Sequence, residues 1–89
     1  MVTSSKIRKL NRDIAKIELQ IDELNEKIPE YKKKMDKGSI TKAQFQKVKM
    51  NIAIKVRGLN AAIHRKKKAR HMIEKDMKEK EKEEDEEAL

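Results

Sequence analysis

The side chains most able to do chemistry lie in the run His64-Arg65-Lys66-Lys67-Lys68-Ala69-Arg70-His71 and in a second group, Lys6, Arg8, Lys9 and Arg12. Cations at this density neutralise phosphates. Binding then draws on release of the counterions condensed on a nucleic acid, and it falls steeply with salt. The two imidazoles are seven residues apart, about 10 Å along a helix, which is too far for one metal ion. A phosphate contact or plain solvent exposure is their expected role, and no metal site is expected. The chain has no cysteine, so no thiolate site or disulfide framework is available.

The remaining polar groups form no catalytic constellation. Asp22, Glu23 and Glu26 fall on a solvated face with no concave apolar pocket beside them, and Gly38-Ser39 lacks the surroundings of a phosphate loop. No Ser-His-Asp order or Walker pattern is present. The expectation is a protein that is not an enzyme and has no cofactor and no small-molecule substrate. Its two aromatics, Tyr31 and Phe45, fall in an apolar seam, so no stacking platform for single strands is expected. Asn11, Gln20 and Asn60 could reach base edges, but amides beside a seam are ordinarily solvated. Contact with the phosphate backbone of DNA or structured RNA is the expected mode.

Composition says what can position these groups. The chain has 89 residues, 45% of them charged and 2% aromatic, with two glycines and one proline, a profile of long helices rather than a filled globular interior. Charge is uneven along it. From Glu74 onward nine acids and four lysines leave −5, so residues 1–73 carry +13 of the net +8. A basic body attracts polyanions, nucleic acid first and an anionic membrane surface second. Met1 to Lys6 has no apolar leader segment, and no apolar run approaches the roughly 20 residues of a membrane span. A cytoplasmic protein is expected, nucleoid-associated in a bacterium or nuclear in a eukaryote.

The fold class expected is all-α: an antiparallel two-helix coiled-coil hairpin over residues 1–78, followed by an acidic tail at 79–89. Helix one is expected over about 5–36, capped by Ser4 or Ser5. Its apolar residues, Ile7, Leu10, Ile14, Ile17, Ile21, Leu24, Ile28, Tyr31 and Met35, are spaced alternately by three and four, a heptad seam without a miss. Pro29 removes one helix hydrogen bond, so a kink near Asn25 to Ile28 is expected, with a break as the alternative. A turn at 37–40 follows. Gly38 suits a positive φ past the helix end, Thr41 and Gln44 suit a capping box, and Ile40 with Phe45 suits a hydrophobic staple.

Helix two is expected over about 41–78. Its seam is Phe45, Ile52, Val56, Leu59 and Ile63, flanked by Val48, Ala53 and Ala62, and it continues in register through Lys66 and Arg70 to Ile73 and Met77. A reversal at Gly38 and Ser39 pairs residues whose numbers add to about 77, which sets Ile7 opposite Arg70 and gathers the two basic runs at the open end. The run Glu83-Glu84-Asp85-Glu86-Glu87 has no apolar face and is expected to be disordered, either solubilising the chain or folding back on the basic patch.

A lone hairpin buries each seam on one side only, so self-association is expected. Leu19 and Ile54 fall opposite the seam, and Met50, Gly58 and Ala61 continue a back stripe on helix two. Dimerisation through these residues would give a four-helix bundle. Around the turn, Lys37-Gly38-Ser39-Ile40-Thr41 with Phe45 and Lys49 resembles the short C-terminal module called SHOCT, although Lys42, Ala43 and Gln44 stand where that module usually carries acids. The resemblance implies a small helical element appended for assembly.

Two function classes follow. The first is a small basic protein binding nucleic acid nonspecifically through Lys6, Arg8, Lys9, Arg12, Arg65, Lys66, Lys67, Lys68 and Arg70. The second is a coiled-coil assembly or adaptor protein whose partner is another helix and whose charges keep it soluble.

Overall fold

A computed structural model describes residues 5–88, with side chains described through Lys80. Two helices make up the fold, α1 (Ser5–Asp36) and α2 (Lys42–Ala88), and no strand occurs among the described residues. They pack against each other as an antiparallel hairpin. Across its long axis the molecule measures 18 × 14 Å, which leaves room for two helices side by side and no third layer. Neither helix is long and apolar enough to cross a membrane among the described residues. Ser4, one of the expected caps of α1, lies outside the described residues, as do the side chains of nearly all the acidic tail.

The heptad seam is the core. Ile7 and Ile14 of α1 and Phe45, Ile52 and Ile63 of α2 are buried. Leu10, Ile17, Ile21, Leu24, Ile28, Tyr31 and Met35 are half-buried, as are Val48, Val56, Leu59, Ala62, Ile73 and Met77. None of the described side chains is wholly enclosed, the consequence of covering each helix from one direction. Ala53, placed by sequence at the edge of the seam, is exposed. Lys66 and Arg70 keep the seam register and are half-buried where the apolar residues give out.

The connection between the helices is built as its residue types demand. Gly38 has φ 80°, which permits Ser39 N–H to reach the Lys34 carbonyl at 2.8 Å and Gly38 N–H to reach the Met35 carbonyl at 3.0 Å. These are the two bonds of a Schellman motif. Thr41 N–H then donates to Gln44 Oε1 at 2.8 Å, and Gln44 N–H donates to Thr41 Oγ1 at 3.1 Å, closing the capping box. Ile40 is half-buried and Phe45 buried on either side of that cap. Helix α1 continues unbroken through Pro29, so the alternative of a break is excluded.

Register is where the sequence reading needs correction. Two cross-helix contacts fix it: Arg70 with Asn11, and Lys66 with Asp13. Their residue numbers add to 81 and 79 rather than 77, so Asn11, and not Ile7, stands across from Arg70. Two causes combine. Thr41 lies outside α2 as its cap, which makes the connection 37–41 one residue longer than expected. In addition, helix side chains lean toward their own N-terminus, so each covers a spot about one position before its Cα. In antiparallel helices that lean adds about two to the sum of the residues that touch.

Candidate nucleic-acid interface

The hairpin brings both basic runs to the open end, and the seam contacts sort the nine candidate cations. Arg70 Nη1 donates to Asn11 Oδ1 at 2.8 Å, and Lys66 Nζ lies 3.5 Å from Asp13 Oδ2. These two are engaged between the helices, and they hold the runs together rather than project from them. Lys6 lines a groove at the open end with Ser5, Ile73, Asp76 and Met77. Lys9, Arg12, Arg65, Lys67 and Lys68 are exposed and make no ion pair among the described residues. Arg8 is exposed beside them.

About 100° of rotation per residue decides which way each projects. On α1, Arg12 lies on the side turned away from α2 with Arg8 and Lys9 to either side of it, while on α2, Lys68 lies on the side turned away from α1 with Arg65 beside it. Lys67 stands on the flank. The cations therefore form a collar around the open end, reaching both outer faces. A collar there, where α1 begins and α2 runs on to Ala88, matches a polyanion that crosses the hairpin, through long side chains that reach phosphates.

One feature of this surface was legible in the sequence and overlooked. Between Asp36 and Glu74 the chain carries eleven lysines and arginines and no carboxylate, so all seven acids of residues 1–73 belong to α1. The turn and α2 as far as Ile73 therefore carry positive charge alone. Both aromatic rings are engaged by lysines of their own helices, with Lys34 Nζ 4.8 Å from the Tyr31 centroid and Lys49 Nζ 5.6 Å from that of Phe45. These rings lie toward the turn, far from the collar.

The residues expected to carry self-association do not share one face. Leu19 is 58% exposed on the outer side of α1, and Met50 and Ile54, 65% and 59% exposed, lie with Ala61 on the outer side of α2. In an antiparallel pair those sides point apart. Gly58 belongs to neither, since it lines a side groove between the helices with Gln20, Leu24 and Leu59. Sequence reasoning also passed over Met72, 51% exposed. It is eighteen residues, five full turns, beyond Ile54 and therefore extends the same outer stripe.

Compared with protein-family models, curated proteins and solved structures, the chain has no match.

Proposed function

We propose that this protein binds nucleic acid without sequence selectivity, using the cationic collar of the hairpin to contact backbone phosphates. The observation that carries this reading is the set Lys9, Arg12, Arg65, Lys67 and Lys68, exposed and without ion pairs among the described residues, where the acid-free stretch of α2 meets the basic N-terminal segment of α1. Charges placed only for solubility are commonly interspersed with opposite charge, and between Asp36 and Glu74 they are not. Lys66 and Arg70 serve as positioning residues, and Arg8 and Lys6 add to the local field. Mobility shift of a random-sequence duplex and of an RNA hairpin at low salt tests the proposal. Retardation of either, competed by heparin but not by polyglutamate, is the expected result. Failure to retard both, or binding of an acidic polypeptide instead, overturns it.

A separate observation supports self-association as a second property. Met50, Ile54, Met72 and Leu19 are large apolar side chains more than half exposed on outer faces of a hairpin whose core is covered from one direction only. Apolar residues spaced along one side of a helix suit a further helix. Sedimentation equilibrium over a range of concentrations tests it, and a constant monomer mass contradicts it.

A further inference from the structure

Two side chains beside the collar have a charge that is not fixed. His64 and His71 are exposed, and neither makes a hydrogen bond or ion pair among the described residues. They are seven residues apart, which is about 20° short of two full turns, so both imidazoles stand in one line along α2. Arg57 lies seven residues before His64 and Lys78 seven after His71, making a column of four exposed groups at steps of about 10 Å. Lys67 stands between the two histidines on the same flank. Arg57 borders a groove shared with Asn25 of α1, and Asn11 and Glu18 precede Asn25 by whole heptads, so they face this flank as well.

The charged groups around the imidazoles are mostly basic. On α2, Lys67 and Lys68 lie one turn from each histidine, with Glu74 and Lys75 one turn beyond His71. On α1, the register set by the Arg70–Asn11 and Lys66–Asp13 contacts brings Arg8 level with His71 and Ala15 level with His64, with Glu18 one turn further on. Neither Glu18 nor Glu74 forms an ion pair among the described residues.

We propose that His64 and His71 contact phosphates as part of the collar and make nucleic-acid binding proton-linked, tighter in mild acid than above neutrality. This inference rests on the nucleic-acid reading above and adds a regulation to it. Histidine ordinarily changes charge between pH 5 and 8, and a phosphate beside an imidazole favours the charged form. Binding therefore takes up protons, and by reciprocity protons strengthen binding. With both rings neutral the column carries cations only at its two ends, roughly 30 Å apart. With both charged it carries four at steps of about 10 Å, and a duplex presents about six phosphates, both strands counted, in each 10 Å of its axis. Lysines and arginines hold the polyanion at any pH, and the histidines set how tightly.

The test uses the full chain and the fluorescence anisotropy of a labelled random-sequence duplex, titrated across salt at about pH 5.5 and about pH 8. Each phosphate neutralised adds about −0.9 to the slope of log K against log salt. The wild type is expected to bind more tightly at the lower pH, with a slope steeper by about 2. His64→Gln and His71→Gln are each expected to retain a steepening of about 1, and the double glutamine variant to have the same slope at both pH values. Carboxylates are common to every variant, so the difference between wild type and double variant belongs to the imidazoles. His64→Lys combined with His71→Lys fixes the charge and is expected to give in alkali the slope that the wild type reaches only in acid. Far-UV circular dichroism at both pH values checks that helix content is kept. A wild-type slope indifferent to pH, or a change that the double glutamine variant keeps, overturns the proton linkage while the collar reading stands. Absence of binding at both pH values in low salt overturns both.

Discussion

Arg70 Nη1 donates a 2.8 Å hydrogen bond to Oδ1 of Asn11, a residue 59 positions earlier in the chain. With Lys66 and Asp13 at 3.5 Å, it ties the basic run of α2 to the N-terminal segment of α1 where the apolar seam runs out. Two cations are thereby spent on register, and their neighbours Arg65, Lys67 and Lys68 are held outward.

The Arg70–Asn11 bond should be measurable as a coupling. In a double-mutant cycle with Arg70→Met and Asn11→Ala, urea denaturation followed by far-UV circular dichroism should give an interaction of about 0.5–1.5 kcal/mol. The Lys66–Asp13 pair is about a third exposed on both sides, so the same cycle there should give under about 1 kcal/mol, diminishing with salt. Additive single effects at Arg70 and Asn11 would mean that the bond does not hold the helices in register.

Substituting the two glycines by alanine should shift stability in opposite directions. At Gly38 nothing lies within 4 Å of an added Cβ, but φ is +80°, so Gly38→Ala costs about 1–2 kcal/mol through the left-handed backbone alone. Gly58 is helical and also has open space around its Cβ position. There alanine should add roughly 0.5–1 kcal/mol by restricting the unfolded chain. For a chain of this size each kcal/mol moves Tm by about 4–8 °C, so thermal melts separate the two. A destabilising Gly58→Ala would reveal a close neighbour that the single hairpin does not contain.

Removing the cap should loosen the whole hairpin. Thr41→Ala deletes the acceptor for Gln44 N–H and should cost about 1 kcal/mol. Gln44→Ala should cost less, because the Thr41 N–H it leaves is exposed and can turn to water. Equal and negligible effects on the denaturation midpoint would count against the capping box as the device that starts α2.

Much of this fold is readable from residue types because the interactions concerned are local. Alternating spacings of three and four fix the seam of α1, and Thr41 with Gln44 announces a capping box that depends on nothing farther away than three residues. Register is different in kind. It depends on the direction in which side chains lean and on one residue of turn length, and spacing within a single helix records neither. The partners of Lys66 and Arg70 were missed for that reason, although the half-buried placement of both was legible in the seam. Leu19 and Ile54 show the same limit. Each is opposite its own seam, but antiparallel pairing sends those two directions apart, and only the assembled hairpin shows that they lie on opposite sides.

The claim that the collar engages phosphates is tested most directly by the salt dependence of duplex binding. Fluorescence anisotropy of a labelled random-sequence duplex, titrated between about 50 and 200 mM salt, should give log K falling linearly with log salt. If roughly four or five of the collar cations neutralise phosphates, the slope is about −4. Replacing Lys67 and Lys68 together by glutamate should make the slope shallower by about 2 while leaving helix content unchanged. A slope near zero, or one that the double variant leaves as steep as before, would contradict the account.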